Sequence, residues 1–370
     1  MAFYKPDGMA AAPLPLNKAA MRKYEDLEIP CEAVLASYVW IDGTGINLRS
    51  KDRTFNFVPK THKDLPIWYF DGFSTNQSTS ENSDTFIFPE ALYHCPFRRG
   101  SNILVLADTY LHNYQPTATN QRKKCVTLCE KAEVEEPWFG FNQEFFLTTT
   151  DGRPLGWPPG GYPAPPGPYY CATGANKIIA RDLMEALYRC CLFAGVQING
   201  INSGTTPSQW NFQVGPAPGI RAADDLWMAR YILARLAEEY GAVASFEAAP
   251  VPHWPGNGAF CYFSSKDMRE SDGILTIERA IDKLSRRHGA HMNEYDANFG
   301  ADNVRRLTGK HGMSNVKDFT AGVANRNCSV RIPRQVSEDK KGYLEDRRPA
   351  ANADPYRIIT MMLKTCIFDE

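Results

Sequence analysis

The stretch Pro137-Trp-Phe-Gly-Phe-Asn-Gln-Glu-Phe-Phe-Leu147 decides which fold this chain is expected to adopt. Side chains alternate along it, so that Phe141 and Phe145 fall on one side and Asn142 and Glu144 on the other. A period of two is typical of a β-strand and places Asn142 and Glu144 side by side on one face of a sheet. Two acids at that spacing would bind a divalent cation through their oxygens, but only one of these two residues is an acid.

The segments around this strand predict an α+β protein with a tail and two domains. We assign residues 1–23 to the tail, 24–112 to a small domain of four to six strands, and 113–370 to a larger α+β domain. Strands are predicted at residues 32–41, 46–53, 68–70, 102–110, 137–147, 209–214 and 329–332, with strand and turn over 243–263. Helices are predicted at residues 118–134, 174–194, 222–240, 273–287 and 354–367. The Gly- and Pro-rich segment 156–170 is too aromatic for a passive linker and is predicted to be an ordered loop over a site.

Composition and charge restrict the function classes. The formal net charge is −1 and the isoelectric point about 6.7, so no global electrostatic case exists for binding nucleic acid or a membrane surface. No apolar run approaches the ~20 residues of a membrane-spanning helix, and no secretory signal is visible at the N-terminus. None of the ten cysteines forms a Cys-x-x-Cys pair, so we interpret them as reduced thiols of a cytoplasmic protein.

A series of motifs runs through the chain. It includes Trp68-Tyr69-Phe70-Asp71-Gly72-Phe73-Ser74-Thr75, Gly167-Pro168-Tyr169-Tyr170-Cys171, Gln209-Trp210-Asn211-Phe212-Gln213-Val214-Gly215-Pro216, Arg305-Arg306-Leu307-Thr308-Gly309 and Glu345-Asp346-Arg347-Arg348-Pro349. With these motifs the chain resembles the eukaryotic (type II) glutamine synthetases, nearly without gaps from about residue 32 to the C-terminus.

The resemblance implies an N-terminal β-grasp domain followed by a larger catalytic-type domain. It also implies a homo-oligomer of two stacked pentameric rings, in which each active site lies between one subunit's catalytic domain and its neighbour's β-grasp domain. The family reaction condenses glutamate with ammonia and uses ATP with Mg²⁺ or Mn²⁺, through a γ-glutamyl phosphate. That chemistry needs metal ions to hold the phosphates and arginines to stabilise the transferring phosphoryl group.

The chain departs from the family at the metal ligands that the resemblance implies. Only Glu144 and Glu345 remain of six ligand positions, and the other four are occupied by Asn142, Gly204, Asn211 and Phe260. The family's flap glutamate falls on Gly312 beside His311, and Tyr262 stands where the family has a polar residue near the nucleotide.

Other positions match the family. The resemblance assigns a catalytic role to Asp71, Ser74, Arg306, Arg326 and Arg347, and a nucleotide-binding role to Trp138, Pro216, Ser264, Arg331 and Tyr343. Losing four ligands removes most of the negative charge that offsets desolvation of a divalent ion. It also leaves the arginines without counter-charges, which favours bound anions such as phosphate or a carboxylate.

Simpler interpretations stand beside these assignments. The arginines could be retained because they form ion pairs at a subunit interface rather than because they contact phosphate. Asp71 could simply cap the turn that follows it. Trp138 is interpreted as a core residue rather than a nucleotide platform. His288 and His291 are expected to face solvent rather than bind metal, and residues 337–341 are expected to form a solvated loop.

The favoured hypothesis is a catalytically inactive glutamine synthetase-like protein, retained as a ring-forming scaffold, structural or regulatory protein that binds no cofactor tightly. Two alternatives stay open. In the first alternative, the chain is an active glutamate–ammonia ligase with a rebuilt metal site for ATP and Mg²⁺ or Mn²⁺. In the second, it is a sensor that binds ATP, glutamate or phosphate without turnover.

Overall fold

The computed structural model describes residue 24, residues 27–30 and residues 32–370. The tail predicted at residues 1–23 lies outside the described residues. The described chain forms two sheets with helices around the second, which confirms the predicted α+β class. None of the helices formed by these residues has the length and hydrophobicity needed to cross a membrane.

The first sheet has five strands, β1 Val34–Ile41, β2 Leu48–Phe55, β3 Trp68–Asp71, β4 Asp84–His94 and β5 Ile103–Tyr110. Their order is β2-β1-β5-β4-β3, in which only β1 and β5 are parallel. Strand β4 was not predicted because Pro89 interrupts its alternating pattern. The structure accommodates this proline at a register shift between Pro89 and Ala91, where a missing N–H costs the ladder little.

The second sheet has eight strands, β6 Trp138–Thr148, β7 Ile198–Ser203, β8 Gln209–Pro218, β9 Val243–Ser245, β10 Ala259–Ser264, β11 Ala321–Val323, β12 Val330–Ile332 and β13 Leu344–Asp346. Their order is β11-β12-β13-β10-β6-β8-β7, and β9 pairs with β6. The predicted strand at 137–147 is therefore the central strand β6. Strands β7, β11 and β13 were not predicted. Strands β11 and β13 have only three residues each, and β7 contains Asn and Gly, which are rare in strands.

The helices of the described chain are α1 Arg122–Lys131, α2 Arg181–Ala194, α3 Arg221–Tyr240, α4 Lys266–Arg269, α5 Gly273–Arg286, α6 His288–Glu294, α7 Ala301–Arg306, α8 Arg334–Asp339 and α9 Pro355–Met362. Helix α3 packs against α2 and β8, and Trp227 at its centre is fully buried. Beyond α9 the chain continues as a π-helix over Leu363–Phe368.

Two predicted elements need correction. The helix expected at 174–194 begins only at Arg181, because Ala180 adopts a left-handed backbone with φ of 62°. Residues 337–341 were expected to be a loop, but α8 extends to Asp339, although residues 338–341 are exposed as expected.

Candidate functional site

The central strands of the second sheet support a cavity of about 210 Å³. The strand register brings the site residues together, because Phe260 pairs with Asn142, Asn211 pairs with Glu144, and Arg331 pairs with Glu345. All six of these residues line the cavity, together with Gly204, Arg326 and Arg347. The structure therefore places every position that the resemblance implied for the metal ligands in one cavity.

Glu345 is the acid at one end of the cavity, and arginines engage both of its carboxylate oxygens. Arg347 Nη1 donates to Oε1 at 2.6 Å, and Arg331 Nη1 donates to Oε2 at 2.7 Å. Glu345 is only 3% exposed, so these are charge-assisted bonds in a largely dry environment. The two arginines thus have an acidic partner within the chain.

Glu144 is the second remaining acid, and the backbone holds one of its oxygens. The N–H of Gly258 donates to Glu144 Oε2 at 2.8 Å. Burial raises the pKa of this carboxyl above its usual value, while the nearby Arg306 and the Gly258 hydrogen bond oppose the shift. Its ionised form is therefore less favourable here than that of an exposed glutamate.

The four substituted positions supply no anionic oxygen. Asn142 Oδ1 and Asn211 Oδ1 are buried without a hydrogen-bond partner among the described residues. The Phe260 ring centre lies 4.4 Å from the Arg347 guanidinium carbon, so this position offers a cation–π contact instead of a lone pair. A Cβ added at Gly204 would lie 2.5 Å from Gln209 Oε1, so any side chain there requires Gln209 to move.

These residues do not fit a divalent metal ion. Mg²⁺ and Mn²⁺ prefer several carboxylate oxygens, but one acid is occupied by two guanidinium groups and the other by a backbone N–H. Within the described ranges no group of three or more His, Cys, Asp or Glu side chains is placed to hold a metal. The arginines outnumber the acids in the cavity lining.

Arg306 and Arg326 occupy different environments. The Arg306 guanidinium is 3% exposed and donates to carbonyl oxygens, those of Arg347 at 3.1 Å and Arg348 at 3.0 Å, and to Asn303 Oδ1 at 3.1 Å. Burial lowers the pKa of Arg306 to about 10. Arg326 instead lines the cavity with an exposed side chain.

Asp71 and Ser74 lie on the surface of the first sheet. Asp71 Oδ1 accepts from the N–H of Phe73 at 3.1 Å, and its Oδ2 accepts from Ser74 Oγ at 2.5 Å. This confirms the turn-capping interpretation of Asp71. Neither residue lines this cavity or the second one described below.

A second cavity of about 420 Å³ adjoins the first. Its lining includes four of the five residues predicted to bind a nucleotide, namely Trp138, Pro216, Ser264 and Tyr343, whereas the fifth, Arg331, lies in the first cavity. The core interpretation of Trp138 is wrong, because this side chain is 41% exposed at the end of β6.

One residue of the second cavity, Arg269, was missed by sequence reasoning, whereas Tyr262 was recognised as a departure from the family near the nucleotide. The Arg269 guanidinium lies 4.6 Å from the Trp138 ring centre, a contact that leaves no signal in the sequence. Tyr262 lines both cavities and lies edge-on to Tyr343, with ring centres 5.8 Å apart. Its ring packs over Gly140, where an added Cβ would come within 3.4 Å of Tyr262 Cδ2.

Loops close the first cavity. The segment 156–170 is ordered by aromatic contacts, with the Trp157 and Trp254 ring centres 4.8 Å apart, and its last residue Tyr170 lines the cavity as predicted. On another side lies Gly312, whose carbonyl accepts from Arg347 Nη2 at 3.4 Å. His311 also lines the cavity, where its Nε2 lies 3.1 Å from the His253 carbonyl oxygen.

The expectation that His288 and His291 face solvent is wrong. His291 is fully buried, with Nδ1 2.7 Å from Tyr295 Oη and Nε2 2.8 Å from Thr365 Oγ1. His288 is half-buried, and its Nε2 lies 2.8 Å from the Val316 carbonyl oxygen. A helix that ends in basic residues suggested an exposed surface, but α6 packs against the C-terminal helix α9.

Comparison with known proteins shows extensive similarity to one family. Residues 119–287 match the family model described as glutamine synthetase, catalytic domain. Glutamine synthetase 2 cytoplasmic of Drosophila melanogaster is 52% identical over 96% of this chain and 96% of its own length. Glutamine synthetase of Panulirus argus is 52% identical over 96% of this chain and 98% of its own length. Human glutamine synthetase is 49% identical over 96% of this chain and 95% of its own length.

A solved structure is also similar. The cryo-EM structure of Plasmodium falciparum glutamine synthetase matches with a TM-score of 0.72, covering 96% of this chain and 75% of that one. The two sequences are only 14% identical, so this similarity concerns the fold alone.

Proposed function

This chain belongs to the glutamine synthetase family, and we propose that it is a catalytically inactive member. In this proposal the protein is retained in the cytoplasm as a ring-forming scaffold, structural or regulatory protein. The observation that carries the proposal is the set of side chains available to bind a metal in the first cavity. Glu345, one of the two acids there, is bound by Arg331 and Arg347 instead.

The chemistry of the family reaction explains why that donor set matters. Phosphoryl transfer depends mainly on positioning and on neutralising the charge of the phosphates. Mg²⁺ or Mn²⁺ would supply that neutralisation, but the residues at positions 142, 204, 211 and 260 provide no carboxylate or imidazole to hold the ion. We therefore expect the ligase rate to fall by many orders of magnitude relative to an active family member.

The proposal includes the assembly that the resemblance implies, a homodecamer of two pentameric rings. It also keeps the division into a β-grasp domain at residues 24–112 and a catalytic-type domain at residues 113–370. Asp71 and Ser74 line neither cavity of their own chain, which suits residues that would complete a neighbouring subunit's site. Both are exposed, and their side chains are hydrogen-bonded to each other.

Calorimetric titration tests the proposal. Mn²⁺, and separately ATP with Mg²⁺, are titrated into the purified protein, with an active glutamine synthetase measured in parallel as the control. We expect no saturable metal binding and no metal-dependent γ-glutamyl transfer above background. Turnover with ATP, glutamate and ammonia would contradict the proposal and favour an active ligase with a rebuilt metal site.

A second candidate is a sensor that binds a nucleotide, glutamate or phosphate without turnover. The observation that favours it is the second cavity, where Trp138, Pro216, Ser264 and Tyr343 still line one space. A thermal-shift series with ATP separates a sensor from a pure scaffold, because a ligand of the native state raises stability by RT ln(1 + [L]/Kd). ATP that shifts the midpoint without turnover supports the sensor, and no shift favours the scaffold.

A further inference from the structure

Two Asn-Gly pairs occur in the chain, Asn199-Gly200 and Asn257-Gly258. Such a pair is chemically labile, because glycine has no side chain to hinder attack of its backbone nitrogen on the asparagine side-chain carbonyl carbon. In a folded protein the attack also requires local movement, since the two reacting groups must leave their folded positions to meet. The structure places the two pairs in opposite environments.

Asn199 is free to react. It is an exposed residue of β7, which lies at the end of the second sheet and pairs with β8 alone. The register of this pairing shifts between Ile198 and Gly200, so Asn199 has no partner of its own on β8. Its backbone carbonyl accepts from Tyr188 Oη at 3.3 Å, whereas its side-chain amide makes no hydrogen bond to another described residue. Movement at such a bulge in an edge strand disrupts little regular pairing.

Asn257 is held in place. It is fully buried, its Nδ2 donates to the Glu247 carbonyl at 2.8 Å, and its Oδ1 accepts from Gln209 Nε2 at 3.0 Å. The nitrogen that would attack it is also fixed, because the N–H of Gly258 donates to Glu144 Oε2 at 2.8 Å. Both reacting groups of this second pair would have to break hydrogen bonds before they could meet.

We propose that Asn199 is a site of spontaneous deamidation in the folded protein and that Asn257 is not. The Gly200 nitrogen forms a bond to Asn199 Cγ, and the bond between Cγ and the side-chain nitrogen breaks. That nitrogen leaves as ammonia with the proton that Gly200 gives up. Water then opens the resulting succinimide at one of its two carbonyl groups and gives aspartate or isoaspartate. The reaction needs no partner other than water.

The modification would change the charge of the second cavity. Asn199 lines this cavity, and Arg269 is the one lining residue that carries a charge at neutral pH among the described residues. A carboxylate at position 199 would offset that charge and make the cavity less favourable for anions. The cavity of an aged molecule would therefore differ in ligand preference from that of a new one. This inference goes beyond the proposed function, since it depends neither on metal binding nor on turnover.

Timed incubation of the purified full chain in mildly alkaline water enriched in heavy oxygen tests the inference. Each succinimide that water opens takes up a labelled oxygen, and peptide mass spectrometry compares positions 199 and 257 in the same molecules. Native anion-exchange chromatography follows the added charge, with Asn199→Asp as the reference. A synthetic peptide with the sequence of residues 195–203 is the positive control for the chemistry.

Gly200→Ala is the discriminating variant. A side chain on the residue after the asparagine hinders ring closure, and the Cβ added at Gly200 would meet Gln213 Oε1 at 3.8 Å, an ordinary contact distance. Asn199 itself is unchanged in this variant. The variant therefore tests the attack by the backbone nitrogen without a demand for repacking.

We expect label to accumulate at position 199 at least about tenfold faster than at position 257, because Asn257 must first lose its two side-chain hydrogen bonds. Converted protein should elute with Asn199→Asp, and Gly200→Ala should slow labelling at position 199 and leave position 257 as it was.

Three results would overturn the inference. They are no label at position 199 while the free peptide is converted, equal rates at positions 199 and 257, and a rate at position 199 that Gly200→Ala leaves unchanged. Equal rates would show that unfolding of the whole chain controls the reaction. None of the three bears on the proposed function, because metal binding and turnover are measured separately.

Discussion

Phe260 shows at the scale of one residue how the cavity's chemistry differs from that of a metal site. Its ring centre lies 4.4 Å from the guanidinium carbon of Arg347 and 5.6 Å from that of Arg306, so it stabilises cations through its π face. Its cross-strand partner is Asn142, which carries a neutral amide. Two adjacent positions on β10 and β6 thus favour cationic side chains and offer nothing anionic to a metal.

The triple substitution Asn142→Glu, Asn211→Glu and Phe260→His should create Mn²⁺ binding. The new carboxylates and imidazole would join Glu144 on the same sheet face, and they would compete for the arginines that now hold Glu345. We expect Mn²⁺ affinity to rise by about 100-fold or more, measured by calorimetry.

The matched control for that experiment is Asn142→Gln, Asn211→Gln and Phe260→Tyr, which changes size without adding a metal ligand. Gly204 is left unchanged because a side chain there would meet Gln209. Equal Mn²⁺ binding by the triple variant and by this control would show that the ligand positions do not decide metal affinity.

Sequence motifs located most of the site residues but not their interactions. Glu345, Arg331 and Arg347 were identifiable because their motifs are intact. The Arg331–Glu345 ion pair depends on how β12 and β13 pair in the sheet, which no local pattern specifies. The contact of Arg269 with Trp138 likewise joins residues that are distant in sequence.

Strand β13 shows at the scale of an element why the cavity residues hold their positions. Successive side chains of a strand point to opposite faces, so Glu345 lines the cavity while Asp346 is directed into the core. There Arg348 Nη2 donates to Asp346 Oδ2 at 2.7 Å and Tyr295 Oη donates to the same oxygen at 2.9 Å. Both Arg348 and Asp346 are fully buried, and this ion pair anchors the short strand.

Asp346→Asn should destabilise the protein strongly. Removing one partner leaves the Arg348 charge buried and unpaired, which costs about 3–5 kcal/mol. Urea denaturation at one fixed protein concentration measures the effect. The control is Asp282→Asn, which breaks the exposed ion pair with Arg286 and should change stability by less than about 1 kcal/mol. Similar losses in both variants would contradict the anchoring role.

At this scale, long periodic elements were predicted well and short ones were not. The central strand β6 and the helix α3 begin and end within one residue of their predicted bounds, because each is long and has many buried apolar side chains. Strand β13 has only three residues, and its identity as a strand comes from its neighbours β10 and β12. The burial of His291 also depends on tertiary contacts, which the basic residues before it concealed.

At the scale of the whole molecule, Arg122 connects the first sheet to helix α3, which packs against β8 of the second sheet. From α1 it donates to Glu90 of β4 at 2.7 Å and to Asp224 of α3 at 2.9 Å. Asp108 of β5 faces the same guanidinium, with its Oδ2 3.9 Å from Arg122 Nη1. The division into domains at residues 24–112 and 113–370 stays a prediction, and this buried charge cluster was not foreseen from the sequence.

Asp108→Asn should stabilise the protein at neutral pH. Burial raises the pKa of Asp108 to about 8, helped by Glu90 and Asp224 and opposed by Arg122 and Lys123. The folded state therefore binds a proton that the unfolded chain releases near pH 4, so this group lowers stability as pH rises from about 4 to 8. Asp108→Asn removes this pH-dependent loss of stability. We expect its free energy of unfolding to exceed that of the wild type by about 1–3 kcal/mol at pH 8 and to differ little at pH 4. A variant less stable than wild type at pH 8 would show that Asp108 contributes mainly as a partner of Arg122.

The proposed ring makes a prediction about native mass. Strand β3 and the capped turn after it expose large apolar side chains, with Tyr69 54% and Phe73 56% exposed, and exposed apolar groups near one another mark interaction surfaces. Native mass spectrometry should therefore find a particle of about ten times the 41.5 kDa chain mass. Phe73→Glu should reduce that mass, because a charge in a subunit interface costs desolvation energy, whereas Val134→Glu, at an 84% exposed position after α1, should leave it unchanged. A wild-type protein of single-chain mass would exclude the ring, and with it the suggestion that Asp71 and Ser74 complete a neighbour's site.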